Sequence, residues 1–129
     1  MYHTDSSNYI FDFRGDRHMG NNNTFVGVST TVDGEGEAGR LSGLIINEKL
    51  AACVQYTTIH SSYRWKGKVI MAEEYLLLMK TRADLADELV AFIKKNHSYE
   101  IPEIVVTPIV GGYEGYLKWI VSETRGGTK

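Results

Sequence analysis

An α+β fold with the element order β-α-β-β-α-β, closed by an extra C-terminal helix, follows from three observations. Short β-branched and aromatic runs recur four times along the chain. Stretches of helical periodicity fill the first and third intervals between them. A glycine-bearing turn fills the second. This order is the split-βαβ, ferredoxin-like pattern: a four-stranded antiparallel sheet with two helices on one face.

Each element has its own warrant. "TFVGVSTTV", Thr24 to Val32, is short and β-branched, and reads as the first strand. After a Gly/Glu loop, Ala38, Leu41, Leu44 and Ile45 fall at helical spacing, with the helix running to Lys49. "LAACVQYTTI", Leu50 to Ile59, reads as the second strand. "SYRWKGKVI" holds a hairpin with Lys66-Gly67 at its tip, because glycine accepts positive φ. Val69 to Thr81 is the returning strand. Leu85, Leu89, Phe92 and Ile93 mark a second amphipathic helix, with Thr81 expected to cap it and Asp84 in its first turn. "IVVTPIV", Ile104 to Val110, is the fourth strand. Gly111-Gly112 breaks the chain, and "YEGYLKWIVSE" closes it as a helix.

The chain has 129 residues, which fits one domain with a single core. Residues 1–23 are polar and irregular and read as a flexible N-terminal extension. His18-Met19 is the dipeptide that a common cloning site leaves before a start codon, so residues 1–18 are expected to be vector-derived. The domain is then residues 24–125, with a tail at 126–129. A net charge of -2 argues against a dedicated nucleic-acid binder. No apolar run approaches the roughly 18 residues of a membrane span, and a cytoplasmic protein is expected. The single cysteine, Cys53, excludes an internal disulfide.

Strand alternation carries a further expectation. In "YLLLMK", Leu76 and Leu78 point to one face, and Leu77 and Met79 to the other. Two helices cover only one of these faces. An apolar face left over marks an interface. A homo-oligomer packed through the open face is therefore expected, with Leu76 and Leu78 in it.

"GEGEAG", Gly34 to Gly39, is literally G-x-G-x-x-G between a strand and a helix. It is not read as a dinucleotide loop. Glu35 and Glu37 would repel a pyrophosphate, and no acidic residue lies between Gln55 and His60 to take a ribose. Cys53 reads as a small buried hydrophobe, with a soft-metal role left open. His60 reads as a surface histidine by the hairpin. Tyr63, Arg64, Trp65, Lys66 and Lys68 make the hairpin aromatic and cationic. It suits either anion binding or insertion into a neighbouring subunit. "NHSYEIPEI", Asn96 to Ile104, places His97, Tyr99, Glu100 and Glu103 at an exposed corner. That is a ligand set for a divalent cation or only the corner itself. Neither a nucleophile elbow, a P-loop nor a His-Glu-x-x-His motif occurs, so an enzyme is not expected.

Five segments together resemble one family. "EKLAACV" at Glu48 to Val54, "SYRWKGKV" at Ser62 to Val69, "LLLMKT" at Leu76 to Thr81, "HSYEIPEI" at His97 to Ile104 and "YLKWI" at Tyr116 to Ile120 look like the CutA family of divalent-cation (copper) tolerance proteins. The resemblance runs from about Phe25 to Glu123. It implies a tight homotrimer similar to the PII signalling proteins, with no obligatory cofactor and no enzymatic activity. It implies tolerance of copper or other divalent cations, with ligands taken in clefts between subunits. His97, Tyr99 and Glu100 match the family's metal-contacting segment, and Tyr63 and Trp65 its trimer-forming arm. An alternative is a PII-like regulatory module holding a small anionic ligand in the cleft, with Arg64, Lys68 and Lys80 supplying charge and Trp65 and Tyr99 the walls. A third reading is a structural trimer that supports a partner. The sequence departs from the family at Ser98, where a proline is usual, and near Ser29, where some members carry a cysteine. A hydroxyl is a poor copper ligand, so metal binding is expected to be weak, with Cys53 the remaining thiol.

Overall fold

The computed structural model describes residues 25–127. The expected extension and the last two residues of the tail lie outside the described residues. The order is β1 (Phe25–Val32), α1 (Glu35–Asn47), β2 (Cys53–Trp65), β3 (Lys68–Arg82), a 3-10 turn (Ala83–Leu85), α2 (Ala86–Asn96), β4 (Ile104–Ile109) and α3 (Glu114–Ser122). The strands form one sheet in the order β2-β3-β1-β4, and all three pairings are antiparallel. This is the ferredoxin-like arrangement that the sequence predicts.

The core lies between the sheet and α1 with α2. Val26, Val28 and Val32 of β1 and Leu77 and Met79 of β3 point to that side. Ala38, Leu41 and Ile45 of α1 meet them, as do Ala86, Leu89 and Ile93 of α2. Each fully buried aliphatic side chain stabilises the fold by about 1.5–3 kcal/mol over leaving it exposed. The "GEGEAG" glycines do not form a binding loop. Gly34 is extended, and Glu35 and Glu37 occupy the first turn of α1, where negative charge suits the helix dipole.

Several boundaries differ from expectation: α1 stops at Asn47, β2 runs past Ile59 to Trp65 and β4 stops at Ile109, and two further differences have a clear cause. β2 starts at Cys53, because Leu50 and Ala51 are needed as buried plugs under the turn after α1. Lys49 takes a left-handed φ of 58° to make that turn, and the Leu50 amide bonds back to the Ile45 carbonyl. Thr81 does not cap α2. It is a buried residue of β3, and its hydroxyl donates to the Leu50 carbonyl at 2.7 Å. A 3-10 turn intervenes before α2, and neither it nor α2 has a side-chain cap.

The second face of the sheet is open over most of its area. Leu78 stands at the sheet centre between β1 and β2 partners and is 45% exposed. Val105 on β4 is also exposed. α3 covers one end only. Its anchor is Arg82, 4% exposed, at the end of β3. The guanidinium forms a bidentate pair with Asp84 (2.9 Å on each arm) and donates to the Thr124 hydroxyl and the Arg125 carbonyl. Arg125 in turn pairs with Glu48 and Glu88. Ile120 is fully buried under this clamp. Cys53 lies on the same face and is half-buried, not enclosed as expected. Its thiol is 3.4 Å from the Tyr116 hydroxyl.

Arg82→Ala should cost about 2–4 kcal/mol, because it leaves buried acceptors without a donor. Urea unfolding measures the loss. Hydrogen exchange should place it in α3 first; unchanged protection of α3 would contradict the clamp.

Candidate functional site

The corner after α2 is built around one imidazole. His97 leaves the helix with extended backbone angles. Its Nε2 lies 2.8 Å from the Thr31 carbonyl and 3.1 Å from the Thr30 hydroxyl. A carbonyl only accepts, so Nε2 carries the proton. Nδ1 then accepts the Tyr99 amide at 3.1 Å. Both ring nitrogens are in use, and no lone pair is left for a metal. The expectation that His97 ligates an ion is corrected by this geometry: the ring pins the corner to the end of β1.

Tyr99 continues the network. Its hydroxyl donates to Glu74 at 2.7 Å, and its ring lies 4.9 Å from that of His97. Burial, and then the carboxylate it bonds, push the phenol well above its ordinary value. Glu74 is 5% exposed, and the Tyr99 bond satisfies a carboxylate that burial would otherwise penalise. At the far end of the same face, the Cys53 hydrogen bond and then burial raise the Tyr116 phenol to about 12.

A cleft of about 800 Å³ opens between this corner and the β2–β3 hairpin. Tyr63, Trp65 and Tyr99 are its aromatic walls. Asp33, Glu73, Glu74, Glu100 and Glu103 bring five carboxylates to it, and no lysine or arginine lines it. The carboxylates surround the space without converging. Among the described residues, no group of three or more His, Cys, Asp or Glu is gathered closely enough to hold a metal ion.

Of the residues singled out in the sequence, Glu100, Glu103, Tyr63, Trp65 and Tyr99 meet here. Arg64, Lys68 and Lys80 do not line the cleft. Arg64 points to the strand face opposite Tyr63 and Trp65. Lys68 and Lys80 sit at opposite ends of β3, up to roughly 40 Å apart. Lys80 is held by the Gln55 side chain at 2.7 Å. The three cations do not come together within one protomer, so the anion site expected between subunits would need cations from more than one copy. Cys53 opposes Lys80, while Glu74 opposes Ile59, about 20 Å along the strand, so the thiol is remote from Glu100. Leu76 and Leu78 lie on the open face as expected. Asp33, Glu73 and Glu74 were not anticipated. The available signal was Glu74 itself, a carboxylate on the same strand face as Leu76 and Leu78.

The sequence and fold were compared with known proteins. Residues 26–123 match the family model described as CutA1 divalent ion tolerance protein. The chain is 46% identical over 99 residues to "Protein CutA 1, chloroplastic" of Oryza sativa, covering 76% of this chain and 56% of that protein. It is 39% identical over 98 residues to the "Divalent-cation tolerance protein CutA" of Thermus thermophilus, covering 75% of this chain and 95% of that one. The chain thus spans about half the length of the plant relatives it matches. The crystal structure of CutA1 from Oryza sativa superposes with a TM-score of 0.78 at 44% identity, covering 80% of this chain and 95% of that chain. The periplasmic divalent cation tolerance protein CutA from Archaeoglobus fulgidus superposes with a TM-score of 0.75 at 33% identity, covering 77% and 97%.

The Tyr99–Glu74 bond has a pH signature. A folded-state value raised above the ordinary 10.0 contributes stability that is fully present below pH 10 and is lost as pH rises through the folded value. Tyr99→Phe should cost about 1–3 kcal/mol at neutral pH. It should also flatten the fall in stability above pH 10. Denaturant unfolding at several pH values checks both; an unchanged alkaline slope would count against the bond.

Proposed function

The chain belongs to the CutA1 divalent ion tolerance family, and from that premise we propose that it takes up divalent metal ions weakly, as hydrated cations, in the carboxylate-lined cleft. The observation that carries this reading is the lining itself: five carboxylates and no cationic side chain around one space. Separated carboxylates suit an ion that keeps much of its water, as hard divalent cations do. Copper has less to recommend it as a preferred ion. Soft or borderline ions favour sulfur and nitrogen, but the thiol of Cys53 is remote and both nitrogens of His97 are occupied. The role is one of binding, not catalysis. An anionic ligand is disfavoured by the same lining, so the PII-like reading has no observation in its favour at this cleft.

We also propose that the working form is a homotrimer assembled through the open sheet face. Support comes from Leu78 and Val105, apolar and exposed on a sheet surface that α3 does not reach.

Calorimetric titration with zinc and magnesium tests the first reading, using a chain in which His3 and His18 are replaced. Glu100→Gln with Glu103→Gln should weaken uptake about tenfold. His97→Gln should leave affinity nearly unchanged while lowering stability. Uptake that follows the histidine and ignores the two glutamates would overturn the assignment. For the second reading, Leu78→Arg should give monomers by sedimentation with the far-ultraviolet spectrum intact; a trimer unaffected by the arginine would refute it.

A further inference from the structure

We propose that the cleft is a site for linear aliphatic polyamines, which carry several ammonium groups along one apolar chain. This rests on the reading of the cleft as a cation site and names a second chemical class of cation for it. The lining has two halves that a metal ion does not use together. Five carboxylates surround the space with no lysine or arginine among them, and Tyr63, Trp65 and Tyr99 wall it with aromatic rings. A hydrated metal ion gains from the carboxylates alone. An alkylammonium gains from both halves, since its charge is drawn to carboxylates and to ring faces, and its methylenes leave water against the rings. The Trp65 ring already accepts one such group, the Lys66 ammonium, 5.6 Å from its centroid.

Shape and hydrogen-bonding capacity point the same way. Register places Trp65 opposite Lys68, Tyr63 opposite Ile70 and Ile59 opposite Glu74. By alternation Tyr63, Trp65 and Glu74 share one side of the arm. The lining therefore extends along β3 from Glu74 to the level of Lys68, roughly 20 Å. A volume of about 800 Å³ is of the size that holds small molecules. Carboxylates spread along such a trough match charges that are themselves spread. Among the described residues they are not gathered for a single ion. Lys66 and Lys68 stand at the arm tip outside the lining, which leaves the negative charge toward the Glu74 end. At that end one acceptor is unspent. Glu74 is 5% exposed, and the Tyr99 hydroxyl occupies its Oε2 at 2.7 Å. Among the described residues its Oε1 has no hydrogen-bond partner, yet it is not sealed off from the surface. It opens on the space that Glu74 lines. A nearly buried carboxylate with a free oxygen beside a cavity calls for a donor, and an ammonium brings three.

Calorimetric titration of the full chain with spermidine, butylamine and magnesium, at matched ionic strength, provides the test. Spermidine should bind about tenfold or more tightly than butylamine, which has a single charge, and than magnesium, which has no methylenes. Tyr63→Leu with Trp65→Leu should weaken spermidine about tenfold and leave magnesium unchanged. Because both rings stand on the long hairpin, Trp65→Phe is the companion variant: it keeps a ring and should keep most of the affinity. Glu100→Gln with Glu103→Gln should weaken both ligands. Equal binding of spermidine and butylamine, or spermidine binding unmoved by the two leucines, overturns the proposal. Magnesium uptake without spermidine uptake also overturns it and leaves the metal-ion reading standing. Spermidine uptake without magnesium uptake supports it and removes the metal-ion reading.

Discussion

The sheet carries apolar side chains on both faces, and α1 with α2 cover only one of them. Most other features follow from that imbalance. On the covered side, valines and leucines from β1 and β3 meet the helices in a conventional core. On the other side, a nine-residue helix is all that the described residues supply, and it reaches one end. A buried arginine holds it there, because Arg82 can satisfy a carboxylate, a hydroxyl and a carbonyl at once. The rest of that face is left to Leu78, Val105 and the space between the arm and the corner. The candidate cleft opens at the end of the sheet, beyond the reach of α3, and takes lining residues from both sides of the β2–β3 arm.

Within that space, polar groups divide into two kinds. His97, Tyr99 and Glu74 are spent on each other and on the end of β1. They fix the position of the corner and have little capacity left for a ligand. Asp33, Glu73, Glu100 and Glu103 line the cleft without that obligation. The residue that most invites a metal assignment is therefore the one least able to accept it, and the less conspicuous carboxylates carry the electrostatic field.

The element order was legible because periodicity is local: alternation in "YLLLMK" and helical spacing from Ala38 to Ile45 need no tertiary knowledge. Residues with distant partners were not. Thr81 has the chemistry of a cap, but its hydroxyl serves a carbonyl 31 positions away. His97 finds its acceptors 66 and 67 positions away on β1. Leu50 looks like a strand residue and is a plug, since burial beneath a turn has no period. The family resemblance was readable from five segments, whereas the acidic cleft was not. Its carboxylates come from three separate stretches around Asp33, Glu74 and Glu100, and only the β1–β3 register and the corner bring them together.

The hairpin tip has a consequence for the order in which the molecule is made. Lys66 and Gly67 both sit at positive φ, the twist that a two-residue turn needs to pair its strands. The longest pairing in the sheet, thirteen residues of β2 against β3, thus closes the shortest loop. Loop-closure entropy favours it ahead of β1 with β3 or β4, and hairpins of this kind form within about 1–10 μs. One wall of the cleft, Tyr63 and Trp65, arrives with this early event. The other waits until β4 lies along β1 and His97 reaches Thr31. The cleft needs both walls, so it exists only once the hairpin and the corner after α2 are both in place.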